Sequence, residues 1–185
     1  MTRRTRGREI ALQVLYQTEQ NPGLARTQIK RFIERRLRGE EKLCEFATAL
    51  IAGVQTNQTR IDELISDVAE NWRLDRMAAI DRNILRLGAF EMLYCPDVPT
   101  KVAINESLEL AKRYSTAQSS RFVNGILDRL QAAAAAAGSP SALTSAVQKD
   151  RAEADSEASP SSPASQVSPE QKPPNPESGP AGTDS

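Results

Sequence analysis

The sequence has no histidine. That removes the commonest general base and the commonest metal ligand. Cysteine is nearly absent: Cys44 and Cys95 lie far apart and form no CxxC spacing. No disulfide framework or thiolate metal site is offered, and both residues are expected to pack as small hydrophobes in a reducing compartment. Phosphate loops of the GxxxxGK[ST] and GxGxxG types and the GxSxG nucleophile motif are missing as well. Carboxylate pairs such as Asp62 with Glu63 or Glu106 with Glu109 fall on helically patterned stretches, where solvated or capping roles are expected rather than acid–base work. These absences exclude most enzyme classes, and the expectation is a protein with no catalytic residue, no metal and no cofactor. Neither a signal peptide nor a run of about 18 apolar residues is recognised. A cytoplasmic protein without a membrane partner is therefore expected.

The overall charge is zero, yet its distribution is uneven. Residues 1–138 hold 21 Lys+Arg against 17 Asp+Glu, while residues 139–185 hold 3 against 7. Within the first part, residues 1–42 hold 11 basic and 5 acidic side chains. A local basic excess suits a polyanionic partner, and it equally suits a solvated basic face. From Ser139 onward the composition turns to Ser, Pro, Ala, Glu and Gln with no aromatic residue. Such a stretch buries too little surface to offset its ordering entropy. The chain thus divides into a folded domain, 1–138, and an expected disordered tail, 139–185.

Apolar spacing in the folded part follows the three-and-four steps of amphipathic helices. Examples are Ile29, Phe32, Ile33 and Leu37, then Leu43, Phe46, Ala47, Leu50, Ile51 and Val54, then Ile61, Leu64, Ile65 and Val68. The segment "MAAIDRNILRLGAFEMLY" is apolar on more than one side and suits a central helix that stops at "CPDVP". Thr100 reads as the N-cap of the next helix and Gly138 as the stop of the last. No window alternates as a strand does. The expected architecture is all-α, about seven helices, with a break near "NWRLDR" dividing two subdomains.

The opening "RRTRGREIALQVLYQ" places Arg3, Arg4, Arg6 and Arg8 at a helix start, where cations oppose the macrodipole. On a wheel of about 100 degrees per residue, the apolar side chains from Ile10 to Tyr16 fill roughly 240 degrees, with only Glu9, Gln13 and Gln17 as a polar strip. Arg4 and Arg8 project from the apolar side, so the first turns are expected to overhang the core with the arginines ringed around them. Arginine presents a planar fork to phosphate, and Tyr16 offers a ring to a splayed base. A solvated arm and a core tyrosine are the competing reading. The segment "STAQSSRFVNG" combines Gln118, Ser119, Arg121 and Phe122 in the mixture that single-stranded RNA readers use. Spacing alone favours an N-capped turn with Phe122 in the core. Asn105 and Asn124, the latter beside Gly125, are expected to serve close helix packing or a buried hydrogen bond.

Taken with "AAIDRNILRLGAFEMLY" and "DVPTKVAINESLELAKRYSTAQSSRFVNGILDRL", the opening makes the chain similar to the NusB family of bacterial transcription antitermination factors over residues 3–131. The resemblance implies two small helical bundles packed together. It implies binding to boxA-type RNA of ribosomal RNA leader transcripts, jointly with NusE, a small-subunit ribosomal protein. It further implies action with RNA polymerase and other Nus factors, and it leaves open whether the chain is a monomer or a homodimer when RNA is absent. Carried over by position, Arg3, Arg4, Arg6, Arg8 and Tyr16 would face RNA, as would Gln118, Ser119, Arg121 and Phe122. Arg76, Asp81 and Arg82 would lie on the NusE side. Gln118 stands where an acidic side chain is common in such proteins, and the tail lies outside the pattern. NusB-like domains also occur fused to RNA cytosine methyltransferases, but no Rossmann-like catalytic domain follows here. The rivals are an RNA chaperone in ribosome assembly and a protein adaptor whose arginines serve solubility.

Overall fold

The computed structural model describes residues 2–69 and 73–138. The expected tail, 139–185, lies outside the described residues, as do residues 70–72 within the expected break. Seven helices follow in order: α1 (Arg3–Gln20), α2 (Arg26–Arg36), α3 (Glu41–Thr56), α4 (Gln58–Val68), α5 (Ala79–Tyr94), α6 (Thr100–Tyr114) and α7 (Ala117–Ala136). A single 3-10 turn, Leu74–Arg76, precedes α5. The described residues contain no strand, and the all-α expectation holds.

Local chemistry explains where these helices start and stop. The Thr2 hydroxyl accepts the Thr5 N–H at 3.1 Å, and the Thr116 hydroxyl accepts the Ser119 N–H at 3.1 Å, so α1 and α7 begin on satisfied caps. Pro99, not Thr100, is the N-cap of α6; Thr100 is already helical and makes no capping bond. Proline fixes φ near the value the first helical turns need, which explains the shift by one residue. Past the end of α7, Gly138 takes a φ of +86°, the left-handed stop that glycine supplies.

α5 is the central helix. Every residue from Ile84 to Leu93 on it is buried, and it packs against α1, α3, α4, α6 and α7. α1, α2 and α3 form one group around it, and α4, α6 and α7 the other, over one continuous apolar core that runs from Ile10 to Ala134. The division falls at Asn57, between α3 and α4, because α4 packs on α5 and α7. The boundary expected near "NWRLDR" is corrected accordingly: α4, with Ile61, Leu64 and Ile65 buried, packs on α5 and α7.

Close helix approach is built with glycine, though not where the asparagines suggested it. A Cβ on Gly53 would lie 2.0 Å from the Phe90 ring, so α3 and α5 meet only because none is there. Asn105 is exposed, Asn124 bonds Asp128 at 2.6 Å along its own helix, and Gly125 faces open space. Their expected packing role is corrected. Cys44 and Cys95 are half-buried against the core, and burial pushes the Cys95 thiol up to about 11.

Charge also joins the two groups. Glu19, near the end of α1, accepts from Arg82 Nε at 2.9 Å and Nη2 at 2.5 Å, and from the Asn83 amide. Arg86 forks onto Asp62 of α4 with two bonds of 2.7 Å and reaches Glu19 at 3.4 Å. Asp62 is therefore an ion-pair partner rather than the solvated carboxylate expected. Burial raises the Glu19 carboxyl, but the bonds from Arg82 and Asn83 and the Arg86 charge outweigh it and hold the group below the ordinary value of 4.5. A lowered carboxyl contributes stability that is present above its unfolded pKa and lost as pH falls through its folded one. Thermal unfolding should therefore show wild-type stability declining below about pH 4.5, with Glu19→Gln less stable at pH 7 and flatter on the acid side. Parallel acid branches would remove Glu19 from the linkage.

Candidate nucleic-acid interface

The first turn of α1 sorts its arginines by depth. The Arg3 side chain is 84% exposed and pairs loosely with Glu40 at 3.2 Å. Arg4 is exposed and lies over the Phe46 ring of α3 at 5.6 Å. Arg6 is 37% exposed and pairs with Glu9 at 2.9 Å.

Arg8 differs, and the expectation that it rings an overhanging end is corrected. Its side chain is 3% exposed; Nε reaches both oxygens of the buried Glu91 on α5 at 3.0 and 2.9 Å, and Nη2 adds a bond of 2.7 Å. Glu106 of α6 stands 3.6 Å from its third nitrogen, and Phe46 covers it at 5.5 Å. Glu106, expected to be solvated, also accepts the Thr5 hydroxyl at 3.0 Å. Gly7 makes the seal close, since a Cβ there would sit 2.7 Å from Phe46. The first turns thus pack from Gly7 onward, because a fully paired fork can enter the core beside Ile10 and Leu12. Glu9, expected in the polar strip, is fully buried too.

The segment after α6 is built around Ser119. Its hydroxyl donates to Asp81 Oδ2 at 2.9 Å, and the hydroxyls of Ser115 and Thr116 lie 2.9 Å from it. Ser119 is 8% and Asp81 9% exposed. Both were expected on binding surfaces, and both are corrected: they tie the α6–α7 turn to the start of α5. Gln118 and Arg121 remain exposed, and Phe122 is half-buried, packed against the core with part of its ring accessible. On the expected partner side, Arg82 is spent on Glu19 and on the carbonyls of Leu74 and Met77, while Arg76 stays exposed. Arg82 is thus a structural cation here.

The two candidate segments do not meet. Arg8 lies against Glu91 near the end of α5, whereas Glu19 lies against Arg82 near its start, so α1 and α5 are antiparallel. Arg3 and Glu19 stand at opposite ends of α1, about 24 Å apart at about 1.5 Å per residue, and the α6–α7 turn is tied to Asp81, next to the Arg82 that holds Glu19. From Gly7 to Leu15 α1 is buried except for the half-buried Gln13, and it surfaces again at Tyr16, 40% exposed. Beside it stand residues the sequence did not single out. Arg113 of α6 pairs with Glu9 at 2.6 Å, Gln13 donates to the Tyr114 hydroxyl at 3.2 Å, and Arg36 of α2 donates to Gln13 at 3.2 Å. The signal was faint, because these partners come from three helices. No cluster of metal-binding side chains occurs among the described residues, nor any helix long and apolar enough to cross a membrane.

Fold and surface together define a small all-helical domain that presents Arg3, Arg4 and Tyr16 to solvent. The chain belongs to the NusB family, whose model matches residues 5–132. Transcription antitermination protein NusB of Myxococcus xanthus is 46% identical over 136 residues, which cover 72% of this chain and 97% of that protein. Among solved structures, T. maritima NusB matches with a TM-score of 0.62 at 39% identity, covering 70% of this chain and 90% of that one. A structure of antitermination factors NusB and NusE in complex with double-stranded RNA matches with a TM-score of 0.65 at 25% identity, covering 72% of this chain and 98% of that one.

The contrast between Arg8 and Arg3 is measurable in chemical denaturation. Glu91→Ala or Arg8→Ala strands a buried charge and should cost about 3–5 kcal/mol, whereas Arg3→Ala should cost less than about 0.5 kcal/mol. Equal, small effects would contradict the buried pair.

Proposed function

We propose that the chain is a transcription antitermination factor that binds boxA-type RNA of ribosomal RNA leader transcripts together with NusE, acting with RNA polymerase and other Nus factors in the cytoplasm. The observation that carries this reading is the outward set Arg3, Arg4 and Arg6 at the start of α1. These are guanidiniums held at the surface of a NusB-family domain, and a solved structural relative is held with NusE and RNA. Arginine forks suit phosphate oxygens, and the site offers positioning by charge rather than a reaction. The exposed Gln118 and Arg121, with the accessible part of Phe122, form the second RNA-facing element, and Arg76 is the exposed member of the partner set. Arg8, Ser119, Asp81 and Arg82 act on these surfaces by holding their helices in place.

Phosphate contacts release counterions, so affinity for a single strand falls with salt at a log–log slope of about −0.7 per neutralised phosphate. Replacing Arg3, Arg4 and Arg6 with alanine should flatten the slope by about 2. It should weaken boxA and unrelated RNA alike, because backbone contacts position without specifying. Addition of NusE should strengthen wild-type binding to boxA RNA selectively. Unchanged affinity and slope in the triple variant would leave the arm a solvated extension and overturn the reading.

A further inference from the structure

We propose that Arg113 and Tyr114 of α6, with Arg36 of α2, form the middle of a single-stranded RNA path that crosses the seam between α1 and α6 and joins the arginine arm to the α6–α7 turn. The inference rests on the RNA reading above and adds residues that neither the sequence patterns nor that reading assigned.

The topology supplies the course. α6 runs beside α1 in the same direction: Thr5 bonds Glu106, Glu9 pairs with Arg113, and Gln13 bonds Tyr114. A chain lying on this seam passes from Arg3 and Arg6, over Arg113 and Tyr114, to Tyr16 and then the turn that carries Gln118. Arg6 and Tyr16 are ten residues apart, about 15 Å along the helix, room for about four stacked nucleotides at about 3.4 Å each.

The chemistry is that of a preorganised polyanion track. Glu9 is fully buried and gives one oxygen to Arg6 and the other to Arg113. Burying a carboxylate is costly unless it is paired, and here two guanidiniums pair with it while remaining 37% and 54% exposed. One buried anion therefore holds two surface cations, Arg6 by a hydrogen bond and Arg113 by an ion contact, while Glu106 and Glu109 line the same groove with Lys112 paired to Glu109. Gln13, itself uncharged, bridges the other two helices, its amide donating to Tyr114 and its carbonyl accepting from Arg36. Aromatic rings lie against these cations: Arg113 stands over Tyr114 at 6.0 Å and Arg36 over Phe32 at 5.7 Å, and Tyr16 of α1 is 40% exposed. Cations alone would serve a duplex backbone. Rings beside cations match unpaired bases, which stack on aromatic and guanidinium planes.

The test is fluorescence anisotropy with a single-stranded RNA of about twelve nucleotides and the corresponding duplex, on the full chain, across a salt series. Arg36→Gln and Arg113→Gln should each weaken single-strand binding and flatten its slope by about 0.7. Arg113→Lys should keep the slope, and Tyr16→Ala should lose affinity by about tenfold or more at constant slope. Arg36→Gln removes no partner from a buried charge and so controls for misfolding, and circular dichroism melts monitor the Arg113 variants. If both glutamine variants bind as wild type while the Arg3, Arg4 and Arg6 triple variant loses RNA, the path avoids this seam and only the inference fails. If duplex binding falls as much as single-strand binding, the seam is a plain charge patch and the inference fails as well. If the wild type binds neither RNA, the reading beneath it fails first.

Discussion

The Arg8–Glu91 pair fixes how α1 is rotated on the central helix, and the rest of the surface follows from that rotation. Glu91 lies on the most buried helix of the protein, and its carboxylate is met by three guanidinium contacts from Arg8 beneath the Phe46 ring. An ion pair in this setting is geometrically exacting, because the cost of desolvating both groups is offset only when the fork is aligned and fully bonded. At the other end of α1, Glu19 is clamped by Arg82, Asn83 and Arg86. Two such clamps set both the rotation and the translation of α1. Arg3, Arg6, Gln13 and Tyr16 then have to line the outer side.

The helical organisation could be read from the chain because period and punctuation are local. The central helix, its stop at the prolines and the glycine after α7 all follow from neighbours in sequence. The roles of the arginines could not be read that way. Four similar side chains stand within six positions, and what separates Arg8 from Arg6 is a carboxylate 83 residues away. One clue was present: Arg8 lies within the wide apolar arc of its helix, where a charged residue must either leave the core or bring a partner. The same limit applies to Ser119 and Asp81. Hydroxyls and acids at a helix start suggest binding surfaces, yet these two are joined to each other by one hydrogen bond across 38 positions.

The molecule thereby separates two uses of the same residue type. Arg8, Arg82 and Arg86 are spent internally, on carboxylates that connect α1, α4 and α5. Arg3, Arg4, Arg6 and Arg113 keep surface exposure, and two of them are oriented by the buried Glu9. A binding face made this way is rigid before its partner arrives, which reduces the ordering cost of association.

This separation is tested most directly by NMR of the arginine side-chain Nε–Hε groups during titration with single-stranded RNA. The account predicts that the resonances of Arg3, Arg4 and Arg6 shift on addition of RNA, while those of Arg8, Arg82 and Arg86 stay in place and remain protected from solvent exchange. A shift of Arg8 as large as that of Arg4, with loss of its protection, would mean that it leaves Glu91 for the RNA and would contradict the account.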